Sequence, residues 1–179
     1  MSPTALHCDR CGSSYPQLEP GAREWPRTCA SCAQVSYRNP VPVTVMLLPV
    51  TSQAPTRLGL VAIRRTIEPG AGKLALPGGY VDWLESWQQA GARELVEETG
   101  VVVDPDAISV FDVKSPPDGR TVLLFGLAPP VPSADLPVFE PTDETGERVI
   151  IDGPRQMAFP LHTAVVEAFF AAADDDEDD

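Results

Sequence analysis

Two sets of residues in this 179-residue chain have the type and spacing to do chemistry. The first is a run of carboxylates, Glu94, Glu97 and Glu98, which follows Glu85 and Arg93. On a helix these three stand at i, i+3 and i+4 and share one face. Like charges at that spacing cost roughly a few tenths of a kcal/mol per pair. They also crowd the end of the helix where the macrodipole disfavours negative charge. A helix built for packing alone gains nothing from this layout, whereas a bound divalent cation offsets both penalties. Carboxylate oxygens suit hard ions such as Mg²⁺ or Mn²⁺. Taken alone, three glutamates also read as a solvated acidic face.

The second set is four cysteines, Cys8, Cys11, Cys29 and Cys32, arranged as C-x2-C, seventeen residues, C-x2-C. Two residues between cysteines let both sulfurs point at one ion, and Gly12 permits the turn that follows the first pair. Four thiolates close a tetrahedral site with no open position, so Zn²⁺ here is expected to support folding and not catalysis. Two disulfides or four free thiols are the competing readings, and a cytoplasmic chain disfavours the disulfides. His7 adjoins the first cysteine and reads as a solvated neighbour.

Elements must position these groups. Residues 41–50 read as one buried strand and 57–65 as a second, joined by a polar loop. Residues 73–76 form a short strand before Pro77-Gly78-Gly79. Residues 86–99 read as a helix, with Ser86 and Gln89 as a capping box and Gly100 as its stop. Strands are expected at 101–103, 108–113, 121–127 and 148–151, with a turn at 115–119. Residues 161–173 read as a closing helix that buries Val165, Val166, Phe169 and Phe170. Residues 174–179 are all acidic and read as a solvated, disordered tail. The composition changes near Asn39-Pro40, so the expected division is 1–40, 41–173 and 174–179.

The spacing Gly79-x5-Glu85-x7-Arg93-Glu94-U-x-Glu97-Glu98-x-Gly100-U fixes seven residues, with Leu95 and Val101 as the bulky aliphatic residues U. At average usage such a match arises by chance on the order of once in a hundred million windows. It is the Nudix box, and the chain resembles the Nudix hydrolase superfamily from about Val41 to Ala173. Arg64-Arg65 and Leu76-Pro77-Gly78-Gly79 extend the resemblance ahead of the box. The cysteine segment, ending Tyr37-Arg38-Asn39-Pro40, is similar to the small zinc ribbon of one subset. That subset includes FAD and ADP-ribose pyrophosphatases and, more distantly, NADH pyrophosphatases. The implied fold is α+β: a Nudix α/β/α sandwich with a mixed β-sheet, preceded by the ribbon.

The resemblance implies hydrolysis of a nucleoside diphosphate linked to another moiety, FAD or ADP-ribose foremost, with release of a nucleoside monophosphate. It maps Glu94, Glu97 and Glu98 onto the ligands of Mg²⁺ or Mn²⁺, with the Gly79 carbonyl as a further ligand. It maps Arg93 and Glu85 onto positions that orient those glutamates. The general base is either Glu97 or Glu98, or a distal glutamate from the loop at 140–147, with Glu144 and Glu147 favoured over Glu140. Arg64 and Arg65 are candidate phosphate contacts. Tyr80, Trp83, Trp87 and Phe125 either stack a planar ring or fill the core. His162 has no assignable role.

Two positions depart from the family pattern. Leu84 stands where glycine usually precedes the first glutamate. Gly91 stands inside the helix where alanine is usual, at a cost of ~1 kcal/mol unless it permits close packing. The S-Q-P-W-P-F-P-x-S motif of NADH pyrophosphatases is absent around 112–117, which disfavours a strict NADH enzyme. Pro116 and Pro117 fall where ADP-ribose enzymes tend to carry proline, but they also make an ordinary turn.

Charge and composition bound the rest. There are 26 acidic residues against 13 basic ones, a net charge of −13. Such a surface repels nucleic acids and anionic membranes, so a small anionic substrate needs a cation between it and the protein. No apolar run approaches the ~20 residues that cross a bilayer, and residues 1–6 lack the pattern of a signal peptide. A cytoplasmic protein is expected, and a homodimer is compatible with the resemblance. Competing functions are a nucleotide-sugar, NADH or capped-RNA hydrolase, and, from another class, a non-catalytic nucleotide sensor or interaction module.

Overall fold

The computed structural model describes residues 7–52 and 58–175. Two compact units divide the chain, Met1–Pro40 and Val41–Asp179.

The first unit has almost no regular structure. Strands β1 (Arg27–Thr28) and β2 (Val35–Ser36) pair antiparallel, two residues each. Two knuckles of the same design carry the cysteines. In the first, the Gly12 N–H donates to the Cys8 carbonyl at 2.9 Å and the Cys8 N–H to the Ser13 carbonyl at 2.8 Å. In the second, Ala33 donates to Cys29 at 2.9 Å and Cys29 to Gln34 at 2.8 Å. The equivalent residues Gly12 and Ala33 both take left-handed backbone, at φ +73° and +59°. Glycine adopts that conformation freely, and alanine adopts it against steric resistance. The buried apolar cluster here is only Cys8, Tyr15 and Cys29, with Cys32 packed against it.

The second unit layers two sheets between two helices. Residues 41–50, expected as a single strand, form two: β3 (Val41–Leu47) and β4 (Pro49–Thr51). They join different sheets. In one, β7 (Gly78–Tyr80), β3, β9 (Thr121–Leu127) and β8 (Ser109–Lys114) lie in that order, with β3 and β9 parallel and the other pairs antiparallel. In the other, β10 (Val131–Pro132), β4, β5 (Leu58–Arg65) and β11 (Thr145–Ile151) lie in order, and β6 (Leu74–Ala75) also pairs with β5. Apolar continuity hid the break, because the residues on both sides of it, 47–50, are all buried.

Side chains alternate across these strands as the pleat requires. Val45, Leu47, Leu60 and Ala62 face the helix α2 (Pro160–Asp175), where Val165, Val166, Phe169 and Phe170 are buried. Met46, Leu48, Val50 and Val61 face the helix α1 (Trp87–Thr99), meeting Ala92 and Leu95. Gly91 belongs to this second contact. A Cβ there would lie 2.4 Å from the Met46 sulfur, so close helix–sheet packing explains the glycine.

Residues 101–103 are not a strand. They join no ladder and lead from α1 to a short 3-10 turn at Pro105–Ala107. Val101 is buried there without joining a ladder. Strand β11 begins three residues earlier than expected. Helix α2 continues through Asp174 and Asp175, two residues past its expected end, and 176–179 lie outside the described residues. The expected strand start at Arg57 also lies outside them. Among the described residues no helix is long and apolar enough to cross a membrane.

Candidate active site and metal centre

Helix α1 is placed by its ends. The Ser86 hydroxyl accepts from the Gln89 N–H at 3.2 Å, and the Gln89 side chain accepts from the Ser86 N–H at 2.8 Å. Gly100 closes the helix in left-handed backbone, at φ +76°. The last turn has no basic residue of its own. Arg148, from β11, supplies one: its guanidinium donates to the Thr99 carbonyl at 2.7 Å and to Pro137 at 2.6 Å. A cation at that end opposes both the macrodipole and the glutamates upstream. No motif announced Arg148. The only hint was the missing basic residue in the last turn.

Glu94 and Glu98 turn inward against β7. Glu98 is 6% exposed, and its carboxylate accepts from the Gly78 N–H at 2.8 Å. Glu94 is as tightly set. A Cβ built on Gly79 would fall 2.2 Å from its Oε1, so only glycine lets this carboxylate reach the strand backbone. Burial raises the pKa of both carboxyls. Glu98 is pushed to about 7, with the charges of Glu94 and Glu144 adding to burial and the Gly78 N–H and Arg65 opposing it. For Glu94, burial outweighs the neighbouring Arg93. Glu97 stands apart, with its side chain 56% exposed.

Arg93 gathers this cluster. Its Nε donates to Glu85 at 3.1 Å, Nη1 to Glu94 at 2.7 Å and to Glu97 at 3.2 Å, and Nη2 to the Tyr80 carbonyl at 3.0 Å and to Glu85 at 3.2 Å. A guanidinium has five N–H donors, and all five are committed. Arg93 therefore positions the glutamates. Glu85 in turn is held below its ordinary carboxylate value by Arg93. The turn that delivers Glu85 has its N–H bonded to the Asp82 carbonyl at 3.2 Å. Leu84 occupies the position in that turn that needs positive φ, at +69°. The glycine usual there is thus a conformational requirement, which Leu84 meets under strain.

The distal loop separates the candidate bases. Glu147 pairs with Arg64 at 2.7 Å, and Arg64 also donates to the Gly72 carbonyl at 3.1 Å. Glu144 has its charge within reach of Glu94 and Glu98. Its backbone is fixed by the Thr66 N–H, which donates to the Glu144 carbonyl at 2.9 Å, and by the Thr66 hydroxyl on Asp143. Arg65 donates to the Pro69 carbonyl at 2.9 Å and lies over the Phe159 ring at 5.3 Å. So Arg64 and Glu147 satisfy each other, while Arg65 acts on Glu98 and Glu144 acts on both Glu94 and Glu98. Phe125 and Trp87 are core residues, whereas Tyr80 and Trp83 are exposed, Trp83 by 91%. His162 is buried beside Phe125 and Phe159, and its Nδ1 accepts from the Leu76 N–H at 3.2 Å. Burial, then Arg65, lowers its pKa to about 4, so it stays neutral and structural.

In the ribbon the four cysteine sulfurs all lie within 4.8 Å of one another, and His7 is not among them. Cys8 and Cys32 sulfurs are 3.7 Å apart, Cys11 and Cys29 3.6 Å. A disulfide needs about 2 Å. A tetrahedral Zn–S shell at ~2.3 Å sets sulfurs about 3.8 Å apart, which matches. Two of the thiols are drawn in opposite directions. Ser13, through its hydroxyl and its N–H, draws Cys11 down to about 6. The Gln34 N–H works to lower Cys32, yet burial and the neighbouring sulfurs push it up to about 12. Four sulfurs at this spacing could hold one metal ion between them.

Comparisons with known proteins bear on the family and the fold. Over 59 residues the chain is 41% identical to the ADP-ribose pyrophosphatase of Methanocaldococcus jannaschii, a stretch covering 33% of this chain and 34% of that protein. A MutT/nudix family protein from Enterococcus faecalis shares the fold at a TM-score of 0.59 and 29% identity, over 68% of this chain and 47% of that one. A NUDIX hydrolase from Nitrosomonas europaea aligns at a TM-score of 0.68 and 21% identity, over 92% of this chain and 90% of that one. Residues 40–171, well over half of the chain, match the NUDIX domain, and the chain belongs to the Nudix family.

Proposed function

We propose that this protein is a metal-dependent pyrophosphohydrolase that cleaves ADP-ribose or a closely related nucleoside diphosphate derivative. The observation that carries the reading is the pairing of Glu94 and Glu98 against Gly78 and Gly79, where a single Cβ would displace a carboxylate. Two buried carboxylates held this close in one site ask for a cation, and hard oxygen donors suit Mg²⁺ or Mn²⁺. Glu94, Glu98 and the Gly79 carbonyl are the residues that would hold it, with Glu97 at the rim. Such an ion neutralises the diphosphate and acidifies bound water.

The chain's own groups do the rest. Arg93 and Glu85 fix the carboxylates before substrate arrives, as phosphoryl transfer demands of a site that works by positioning. Arg65, held by Pro69 and Phe159, meets a phosphate oxygen. Glu144 takes the proton of the attacking water, and Glu147 does not, because Arg64 engages it. Water adds to one phosphorus, the bridging P–O bond breaks, and AMP leaves with ribose 5-phosphate when the substrate is ADP-ribose. In the ribbon, Zn²⁺ on Cys8, Cys11, Cys29 and Cys32 serves folding. ADP-ribose stands ahead of FAD because the Methanocaldococcus jannaschii relative that matches 59 residues of this chain is an ADP-ribose pyrophosphatase.

The test is a panel of ADP-ribose, FAD, NADH, nucleotide sugars and capped RNA, with products identified by mass, in Mg²⁺ and without it. AMP and ribose 5-phosphate appearing only with the metal is the expected result. Preferred cleavage of another member replaces the substrate. Binding without cleavage of any member favours a nucleotide sensor.

A further inference from the structure

Arg148 holds two parts of the Nudix unit at once. It stands on β11 opposite Ile63 of β5, two residues along from Val61, and so faces α1. From there it donates to the Thr99 carbonyl at 2.7 Å and to the Pro137 carbonyl at 2.6 Å, and its guanidinium lies 5.8 Å from the centre of the Phe139 ring. Thr99 follows Glu98 on the helix, and Pro137 and Phe139 open the loop that carries Glu144. We propose, resting on the reading that Glu144 is the base of the reaction above, that Arg148 is a positioning residue. It ties the start of this loop to the end of the glutamate helix and so sets Glu144 against Glu98.

A helix cap explains only part of this arrangement. The last carbonyls of a helix lack intrahelical partners, and a cation beside them is stabilising. One donor on Thr99 meets that need, and a lysine would meet it as well. The donor on Pro137 and the contact with Phe139 do nothing for the helix. They hold the loop. Arg148 is half-buried, and burial lowers its pKa, so the surroundings work against the charge that the clamp requires.

The far end of the loop is held as well. The Thr66 N–H donates to the Glu144 carbonyl at 2.9 Å, and the Thr142 hydroxyl accepts from the Glu144 N–H at 3.3 Å and from the Thr145 N–H at 3.0 Å. Between these anchors Glu144 keeps its charge within reach of both buried carboxylates. The ladder adds to the aim. Register between β11 and β5 shifts between Thr145 and Glu147, which leaves Gly146 as an extra residue. In an unbroken strand, residues three apart face opposite sides. The bulge instead puts Thr145, opposite Arg65, and Arg148, opposite Ile63, on one face. Glu144 therefore leaves the strand beside a residue that is buried on the clamp's side of the sheet.

The test is turnover by the full chain, loaded with Zn²⁺ and Mg²⁺, on the panel member that it cleaves. Glu144→Gln should lower kcat by about a hundredfold or more. Arg148→Met should lower kcat by at least about tenfold with KM within about twofold of wild type. Arg148→Lys keeps the charge at the helix end but loses the fork, and it should fall as far as Arg148→Met. The double variant of Glu144→Gln with Arg148→Met should be no slower than Glu144→Gln alone, because the clamp has nothing to position once the base is gone. Wild-type kcat in Arg148→Lys would reduce Arg148 to a cap, and losses that multiply in the double variant would separate it from Glu144. Either result overturns the proposal. A second readout needs neither divalent metal nor turnover. The Thr66 N–H reports the hold on Glu144, and it should exchange with solvent at least about tenfold faster in both Arg148 variants, measured against the Leu95 N–H inside α1. If no panel member is cleaved, the proposed reaction fails by itself, and this exchange still decides whether Arg148 holds residue 144. Exchange equal to wild type overturns the proposal.

Discussion

The ribbon and the Nudix unit each offer ligands for a metal, and they stand in opposite relations to it. In the ribbon the ligands are the core: among the described residues, Cys8 and Cys29 are two of the three that form its buried apolar cluster. Its two strands hold two residues each. A unit of this size rarely stands without a staple. The Nudix unit has two apolar clusters on opposite faces of its sheets, and its glutamates sit at the edge of one finished structure. There the fold holds the ligands, and burying them costs the fold something. On the reading proposed above, one unit would need an ion to fold, and the other would need one to work.

The largest test of this contrast is removal of zinc. Structural zinc sites contribute about 10–16 kcal/mol of binding free energy, which here is folding free energy. Chelation should collapse the amide resonances of the ribbon and leave those of the Nudix unit dispersed. Loss of both sets together would break the contrast. Next in size is Glu98→Gln, which should reduce kcat by about a hundredfold to a thousandfold while the ribbon resonances stay in place. Near wild-type turnover would remove Glu98 from the site.

The cost of the buried carboxylates gives a sharper measure. Folding raises the Glu98 pKa from 4.5 to about 7, so the folded state binds that proton more tightly. The associated stability is complete below pH 4.5 and is lost as pH rises through about 7. Without divalent metal, wild type should therefore lose up to about 3 kcal/mol relative to Glu98→Gln between acid and weakly alkaline pH. Denaturant melts of the two proteins over that range check it, and parallel curves would refute it.

Packing and strain supply the smaller effects. Gly91→Ala should destabilise the Nudix unit by about 1–3 kcal/mol despite alanine's better helix propensity, because the methyl meets the Met46 sulfur. Thermal melts decide the sign. Smallest of all, Leu84→Gly and Ala33→Gly should each stabilise their own unit by under about 1 kcal/mol, as both residues hold left-handed backbone. A destabilised variant in either would mean that the side chain earns its place by contact.

Much of this was legible from residue spacing. The cap residues Ser86 and Gly100 bound α1 where the sequence placed it, because capping is local chemistry written in adjacent residues. The cysteine quartet converged for the same reason. What stayed hidden depends on tertiary context. Residues 45–50 are apolar throughout, and Pro49 alone marked the point where the chain leaves one sheet for another at Leu48. Residues 101–103 have strand-like composition but no partner strand beside them. Glu144 and Glu147 are alike in sequence, and only the placement of Arg64 separates them. Arg148 reaches the end of α1 from 49 positions away, across a distance no local pattern records.

Arg93 commits each of its five N–H groups before any ligand is present. Such a residue cannot be exchanged one bond at a time. Lysine carries its three donors on a single nitrogen and cannot span Tyr80, Glu85, Glu94 and Glu97 together. The path from arginine to any other residue therefore runs through variants in which several acids lose their anchor at once. That makes the position a bottleneck in the sequence space open to this fold, independent of which diphosphate the site is later adapted to receive.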